Sequence, residues 1–405
     1  MVPLDRMPSP DKLAIPLLLP LREATQVLSS NSDRSSHSGA PTFATSTPID
    51  MALNHGTYCS DASLAVLQHF KTNTSLRHFP AADNGELRAA LAAQDGLQAE
   101  NVLVANGSGP LLKLCLPYLI ERQIKSEVPR ILRHLVFRSG FPIYTPRLTY
   151  SKVPAAAAKI KLTYEMLPLG PENNFTLSMD DLARRLEKRE GLVYIANPNN
   201  PTGNVLVTRD QLKPLLNRFM NSIFVIDEAY VEYISRQDHA YFGSMVKDHP
   251  NLLVLRSFSF AWGLGAARLG YALGNKGMIS EFEAKLTPHQ VNTLTSEMAI
   301  AALKDSSHLE YVRNQTASQR EVLMKGLRKF QGVEAYDSLT NFILCRLSPG
   351  RTGKQVYEEL LRRKIKVKIF EALKDEKYDE YFRITIGLPE ENEYLLSQLA
   401  EILNG

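Results

Sequence analysis

The sequence predicts an α/β protein with a mostly parallel central sheet and a smaller C-terminal α+β domain. Three short apolar runs, residues 192–196, 222–227 and 252–258, are rich in β-branched side chains and bounded by turn residues, which is typical of buried parallel strands. Between the first two runs, residues 207–220 repeat apolar side chains at helical spacing around a candidate N-cap, Thr208. Strand, helix and strand in this order predict a βαβ unit.

The N-terminal part of the chain differs in composition from the rest. Residues 29–48 are rich in Ser and Thr and offer few apolar side chains to a core, which is typical of an extended arm or a disordered linker. We therefore expect residues 1–49 to form an extended or partly disordered arm, and the folded body to begin near Asp50.

The body is expected to divide into two domains. Residues 50–290 would form the large domain, with the segment 50–84 near its cleft, and residues 291–405 would form a linking helix and the small domain. The helical region spans about residues 278–330 and is interrupted near Pro288. If the small domain packs over the carboxyl edge of the sheet, a ligand cleft forms between the domains. In the small domain, strands are predicted at 333–347 and 381–387 and helices at 353–365 and 390–403.

Composition excludes several classes of function. The net charge of +4 arises from 47 basic and 43 acidic residues that are interspersed, so no basic block for nucleic acid stands out. Residues 13–21 are apolar but are broken by two prolines, and they are too short for the ~20 residues of a membrane span. Three distant cysteines, Cys59, Cys115 and Cys345, show no metal-site spacing. We expect a cytoplasmic protein with reduced thiols and no metal, and with neither nucleic acid nor a membrane as a partner.

The first motif with chemical content is NGSGPLLK at residues 106–113. Gly107, Ser108 and Gly109 precede an apolar helical run, so their backbone amides can converge at a helix N-terminus and hold a phosphate. The spacing matches neither the nucleotide P-loop nor a dinucleotide fingerprint. Taken alone, the motif is as consistent with a plain loop as with a phosphate site.

Two further motifs follow predicted strands, at the edge where a cleft is expected. The turn ANPNNPTGN at residues 196–204 crowds together residues that favour special backbone paths. Asp227 ends the next strand, and Tyr230 lies three residues beyond it. Because a carboxylate at the tip of a buried strand is costly unless a cation pairs with it, a protonated ring nitrogen is a natural partner. Residues 263–270 resemble a dinucleotide loop, but the strand predicted to follow them argues against that interpretation.

In their order along the chain, these segments resemble the class I/II aminotransferases of fold type I, and most of all the histidinol-phosphate aminotransferase group. The resemblance covers about residues 54–403 and implies a three-layer fold and the cofactor pyridoxal phosphate (PLP). Several matching segments are degenerate individually, whereas their ordered combination is specific. They are LNHGTY, RHFPAADNGELRAALA, NGSGPL, FPIY, NPNNPTG, VIDEAY, SFSFAWGLGAARLGY, TNFIL and FRITIGLPEEN.

The resemblance implies which residues bind the cofactor. Phe141 would stack on the pyridine ring, and Asp227 would keep the ring nitrogen protonated. Asn200 and Tyr230 would bind the phenolic oxygen, and Tyr230 and Asp227 count as the catalytic residues. The phosphate would be held by Gly107, Ser108, Gly109, Ser257 and Arg268.

The resemblance also implies the substrate site and the assembly. Arg383 would pair with a substrate carboxylate or phosphate, where a planar guanidinium suits two oxygens, and Tyr58 and Asn341 would lie on the substrate side. The expected partners are a small anionic substrate and a second copy of the chain in a homodimer, with the N-terminal arm crossing to that copy. Taken singly, Phe141, Ser257 and Arg383 are also explained as a core residue, a strand end and a surface cation.

Two positions depart from the family pattern. The residue three after Ser257 and eight before Arg268 is Phe260, where the family has the lysine that forms an internal aldimine with PLP and shuttles the substrate proton. A phenyl ring can do neither. Phe79 stands where relatives commonly have a tyrosine that reaches the cofactor phosphate. Both departures argue against ordinary transamination.

Three hypotheses follow for the function. In the first, an enzyme binds PLP or its amino form, pyridoxamine phosphate (PMP), without a covalent bond and acts on a preformed aldimine or ketimine by elimination, cyclisation or a related step. In the second, the cleft serves an enzyme or ligand-binding protein without PLP. In the third, the chain is a catalytically silent subunit. An engineered replacement of the lysine would leave Phe79 unexplained. For the first hypothesis, the candidate bases are His55, His78, Tyr58 and Lys113.

Overall fold

The structure, a computed structural model, describes most of the chain beyond the predicted N-terminal arm. The described residues are 48–70, 77–114, 117, 142–150, 153, 164–237, 239–370 and 378–404. Phe141, Cys115 and nearly all of the predicted arm at 1–49 lie outside these ranges. Within them, no helix has both the length and the apolar composition that a membrane span requires.

The secondary structure alternates strands and helices as the sequence predicts. The strands are β1 (Ile49–Met51), β2 (Val102–Ala105), β3 (Ile143–Pro146), β4 (Tyr164–Leu167), β5 (Leu192–Ala196), β6 (Ile223–Asp227), β7 (Leu252–Ser257), β8 (Gly270–Gly274), β9 (Val333–Ala335), β10 (Phe342–Leu347), β11 (Ile365–Ile369) and β12 (Tyr381–Thr385). The helices with both ends described are α1 (Asp61–Phe70), α2 (Gly85–Ala93), α3 (Met179–Lys188), α4 (Arg209–Arg218), α5 (Lys276–Glu283), α6 (Thr293–Lys304), α7 (His308–Leu327), α8 (Gly353–Arg362) and α9 (Pro389–Asn404). A further helix begins at Ser108 and is described to residue 114.

The central sheet is mostly parallel, as predicted. Within the described residues it has seven strands in the order β2-β8-β7-β6-β5-β3-β4. Neighbouring strands run parallel except for β8, which is antiparallel to both β2 and β7. Because β5 and β6 are parallel neighbours, their carboxyl ends, Ala196 and Asp227, meet at one edge of the sheet as register partners.

Helices cover both faces of this sheet, which gives three layers. Alternate residues of a strand point to opposite faces, and in β5 Val193 and Ile195 belong to one core cluster whereas Leu192 and Tyr194 belong to the other. Helices α2, α3, α4 and α6 pack on the first face. Helix α5 and the helix that begins at Ser108 pack on the second face.

The second sheet combines both ends of the described chain. Its order is β1-β11-β12-β10-β9, and β1 pairs in parallel with β11. The start of the body therefore belongs to the same sheet as the C-terminal strands. The sequence does not reveal this pairing because it joins segments at opposite ends of the chain. The domain boundary at residue 290 stays a prediction.

Two predicted elements of the C-terminal part were wrong in their extent. The strand expected over 333–347 is two antiparallel strands, β9 and β10, because the loop between them turns toward the 196–204 turn, where Leu339 N–H donates to the Gly203 carbonyl at 2.8 Å. The helix expected over 353–365 ends at Arg362. Lys364 then takes a φ of 61°, which a helix does not accommodate, and Ile365 begins β11.

A buried ion-pair network lies on the first face of the central sheet, beneath the carboxyl ends of β6 and β7. Arg256 Nε is 2.6 Å from Glu228 Oε2, and a second guanidinium nitrogen is 2.5 Å from Asp95 Oδ2. The three side chains are 0%, 0% and 3% exposed. Asp227 and Ser257, the neighbours of Glu228 and Arg256 in sequence, point to the opposite face. The network therefore fixes the strand ends from which those two residues project.

Replacing Arg256 with Met should destabilise the protein strongly. The substitution leaves Glu228 buried without a cation and leaves Asp95 with only the partly exposed Arg236, at 3.4 Å, which costs about 3–5 kcal/mol of the free energy of unfolding. Urea unfolding followed by circular dichroism measures the loss. In the control, Arg328→Met breaks an exposed pair with Asp337 and should cost under about 1 kcal/mol. Equal losses in the two variants would contradict the prediction.

Candidate functional site

An open cleft of about 430 Å³ lies at the carboxyl ends of β5 and β6. Ten of the described residues line the cleft. Sequence reasoning named six of them for this site and did not name the other four. The lining residues are Ser108, Gly109, Leu112, Tyr150, Ala196, Asn200, Asp227, Ala229, Tyr230 and Phe260. In the described part of the chain, no group of three or more His, Cys, Asp and Glu side chains is arranged to hold a metal ion.

Asp227 is a buried carboxylate at the floor of this cleft. Its Oδ2 accepts a 2.7 Å hydrogen bond from the Tyr194 hydroxyl, and its Oδ1 accepts a 3.1 Å bond from Ala229 N–H. Burial raises the pKa of Asp227, while these two hydrogen bonds oppose the rise. Among the described residues Asp227 forms no ion pair. The carboxylate is thus positioned and desolvated, and a cationic group of a ligand would supply the missing partner.

Strand register brings the predicted phosphate-binding residues together. Gly270 of β8 is the register partner of Ala105 and of Ser257, so the loop at Gly107 and Ser108 lies beside the end of β7. Gly107 has a φ of 102°, and a Cβ there would lie 2.9 Å from the Arg268 guanidinium. Only glycine allows this approach.

Arg268 provides the cation of this loop region. Its guanidinium donates to the Gly265 carbonyl at 3.1 Å and to Ser259 Oγ at 3.5 Å. It makes no salt bridge to a carboxylate within the described ranges. A guanidinium beside backbone amides at the start of a helix is an arrangement that binds phosphate.

A hydrogen-bonded chain links the cleft to Arg383. The Tyr230 hydroxyl accepts bonds from the side-chain amides of Asn54 at 2.9 Å and Asn200 at 3.4 Å. Asn200 Oδ1 in turn accepts a 2.5 Å bond from Arg383. Burial raises the pKa of Tyr230 to about 12, so its hydroxyl keeps its proton near neutral pH.

Arg383 is a buried cation without an anionic partner in the described part of the chain. It is 5% exposed, its Nε has no hydrogen-bond partner, and another nitrogen donates to the Ala52 carbonyl at 2.5 Å. Its guanidinium lies 5.1 Å from the centre of the Phe342 ring. Burial lowers its pKa to about 10. A carboxylate or phosphate of a ligand would compensate this desolvated charge.

None of the three predicted substrate residues is among the described residues that line the cleft, and Arg383 is connected to that lining through Asn200. The Asn341 side-chain amide donates to the carbonyls of Asn54 and His55, at 3.2 and 3.3 Å, and so holds the segment that carries Asn54. Tyr58 packs edge-on against Tyr311 at 5.3 Å, and burial raises its pKa. Their roles toward a substrate stay predictions.

Phe260 is half-buried and lines the cleft directly. Its ring stacks on the Tyr230 ring with centroids 4.3 Å apart and an angle of 25° between the planes. The Phe260 carbonyl accepts a 2.9 Å bond from Gly263 N–H. A Cβ on Gly56 would lie 1.9 Å from that carbonyl oxygen, so the backbone at 260 is held against the segment that carries Asn54.

The candidate bases and Phe79 do not line the cleft of the described chain. His55, His78 and Lys113 are exposed, and Phe79 is 88% exposed beside His289. The ionisable side chains that line the cleft are those of Asp227, Tyr150 and Tyr230.

Sequence reasoning missed two tyrosines that shape the site. Phe141, the predicted stacking residue, lies outside the described residues and precedes β3 in the chain. Its role stays a prediction. Because β3 runs parallel to β5, the carboxyl end of β3 lies at the edge of the sheet that carries the cleft, and Tyr150, which follows β3, lines the cleft. The parallel direction of that strand was the available signal. The second, Tyr194, could have been found from the strand alternation that gives it the same face as Asp227.

A sequence model of the family "aminotransferase class I and II" matches residues 48–399. The chain belongs to this family. It is 33% identical over 318 residues to a histidinol-phosphate aminotransferase of Anaeromyxobacter sp. (strain Fw109-5). The aligned residues cover 78% of this chain and 80% of that protein. The aminotransferase fold predicted from its motifs is confirmed, and the chain is a member of the PLP-dependent aminotransferase superfamily.

Solved structures agree on the fold of this aminotransferase-family chain. The histidinol-phosphate aminotransferase of Clostridium acetobutylicum superposes with a TM-score of 0.74 at 20% identity, covering 88% of this chain and 99% of that one. The histidinol-phosphate aminotransferase of Sinorhizobium meliloti, solved in complex with pyridoxal-5'-phosphate, gives 0.73 at 22% identity, covering 88% and 91%.

Replacing Asp227 with Asn should change how stability depends on pH. Because the folded-state pKa of Asp227 lies above its ordinary 3.8, the native state binds the proton more tightly, and stability is lost as pH rises from the lower to the higher pKa. The difference in unfolding free energy between Asp227→Asn and wild type should therefore grow, in favour of the variant, as the pH rises above 3.8.

Urea unfolding at a series of pH values above 3.8 measures this difference in unfolding free energy. Tyr194→Phe provides the comparison, because removal of the hydroxyl that donates to Asp227 raises the pKa of that carboxyl further and extends the loss in stability to higher pH. A difference in unfolding free energy between wild type and Asp227→Asn that stays constant with pH would contradict a raised pKa of Asp227.

Proposed function

We propose that the protein is an enzyme of the aminotransferase superfamily that holds PLP or PMP without a covalent bond. It would act on a small, anionic, amino-acid-like substrate by a step other than ordinary transamination. The observation that carries this proposal is the composition of the cleft. Phe260 lies where the resemblance calls for lysine, while Asp227, Tyr230 and Arg268 keep the residue types that the cofactor requires.

The residues present fit the cofactor. The desolvated Asp227 carboxylate lacks a cation, which a protonated pyridine nitrogen would supply. Asn200 and the Tyr230 hydroxyl would bind the phenolic oxygen, and Tyr150 would provide an aromatic wall. The Gly107–Gly109 loop, Ser257 and Arg268 would hold the phosphate. When bound, PLP supplies an electron sink for charge that develops at the substrate α-carbon.

The chain's own groups constrain the reaction. Asp227 would hold the proton on the ring nitrogen, and Arg383 would orient the substrate through its anionic group. Phe260 can neither bond to the cofactor nor carry a proton, and the loss of a positioned proton shuttle costs about 10²–10⁴ in rate. The raised pKa of Tyr230, about 12, favours a hydroxyl that donates a hydrogen bond rather than one that abstracts a proton.

The proposal includes a homodimer, as the family resemblance implies. Four apolar side chains in the first part of the body are well exposed, which supports a second copy of the chain as the partner. They are Leu53, Leu64, Leu67 and Phe79.

Wild-type protein should bind PMP reversibly, and borohydride should not fix PLP to residue 260. Calorimetry measures PMP binding, and mass spectrometry after reduction detects a covalent adduct. Asp227→Asn should weaken PMP binding at least about tenfold, since a hydrogen bond to a charged group is lost. A reducible bond between PLP and the cleft would contradict the proposal. If neither PLP nor PMP binds, the alternative of a cofactor-independent cleft replaces it.

Replacing Phe260 with Lys should restore a covalent PLP bond in the cleft. We expect a borohydride-fixed adduct at residue 260 and a rise of about 10²–10⁴ in the rate of amino-group transfer to PLP, because the proton shuttle returns. Met220→Lys is the control, since it adds a lysine at an exposed position outside the cleft lining. An adduct that is equally strong in both variants, or absent in Phe260→Lys, would show that the rest of the site does not support the lysine.

A further inference from the structure

We infer that Phe260 determines substrate specificity and that the cleft selects a substrate with a planar aromatic group and an anionic group. The aromatic group would lie against the Phe260 and Tyr230 pair, and the anionic group at Arg383. This inference rests on the proposed function in one respect, because it takes the same cleft as the substrate site.

The aromatic platform is rigid before any ligand binds. Tyr230 is fixed on one side by the stacked Phe260 ring at 4.3 Å and on another by the edge of Phe342 at 5.0 Å. Its hydroxyl is held by Asn54, and the Phe260 carbonyl is held by Gly263. Side chains fixed in this way lose little further entropy when a ligand ring packs on them.

Ring contacts connect this platform to the buried Arg383 guanidinium. The Phe260 ring contacts Tyr230, Tyr230 contacts Phe342, and the Arg383 guanidinium lies 5.1 Å from the centre of the Phe342 ring. Asn200 makes a second connection, since it lines the cleft and accepts from Arg383. The unpartnered Arg383 Nε gives the anionic end of a ligand a desolvated donor to satisfy.

The charges of the cleft disfavour other substrate side chains. Among the described lining residues, Asp227 carries the one carboxylate, and the proposed cofactor nitrogen would engage it. Phe260 offers no hydrogen bond, so a polar substrate side chain beside it would lose its hydration without compensation. A ring gains both apolar burial and the offset or edge contacts that aromatic pairs prefer.

The test compares two carboxylates with the same carbon skeleton, one with a planar aromatic ring and one with a saturated ring. 3-Phenylpropanoate and 3-cyclohexylpropanoate are titrated by calorimetry into the full chain, first with PMP and then without it. We expect the aromatic acid to bind about two- to twelvefold tighter, and Phe260→Leu to remove that preference. Phe330→Leu makes the same change at a partly buried position that packs against the core of the second sheet, and it should keep the preference.

The outcomes separate this inference from the proposed function. Equal affinity for the two acids in wild type, an unchanged preference in Phe260→Leu, or no binding of either acid overturns the inference. Binding of the aromatic acid that weakens in Arg383→Gln supports the position of its anionic end. If PMP fails to bind while the aromatic preference persists, the proposed cofactor role is overturned and the specificity of Phe260 stands.

Discussion

The buried ion-pair network of Arg256, Glu228 and Asp95 sets the position of the whole site. The pair of Arg256 and Glu228 joins the ends of β7 and β6 on one face of the sheet. The residues next to them in the chain, Ser257 and Asp227, project from the other face. Burying three charges is expensive unless each is paired with good geometry. The network meets that condition, and it thereby fixes two strand tips to within the tolerance that a binding site requires.

Two buried charges in the described chain lie at and near the cleft, one from each sheet, and are not paired in this way. Asp227 and Arg383 are both buried, yet within the described residues neither faces an opposite charge, and the Arg383 Nε lacks even a neutral acceptor. Because a buried charge without an opposite charge is costly, stability does not explain these two side chains. The imbalance is what a site for a ligand with a cationic and an anionic group would require.

The sequence was sufficient to predict features that depend on local pattern. The β5 and β6 strands, the glycine loop at 107 and Asp227 at a strand end follow from alternation, turn chemistry and the cost of a buried carboxylate. The sequence was not sufficient where the position of a residue depends on segments distant in the chain. The pairing of β1 with β11, the hold of Asn341 on the Asn54 segment and the arrival of Tyr150 in the cleft all require the tertiary fold.

The backbone at Phe260 is held by contacts that do not involve the Phe260 side chain. Its carbonyl still closes the turn to Gly263, and Gly56 still leaves the space that this carbonyl needs. The backbone that presents residue 260 to the cleft is therefore defined independently of its side chain. Because the Phe260 ring stacks on Tyr230, it presents an apolar surface at the place where the family resemblance implies a reactive amine. Under the proposed function, such a cleft would keep its capacity to bind the cofactor and would lose the step that depends on an amine.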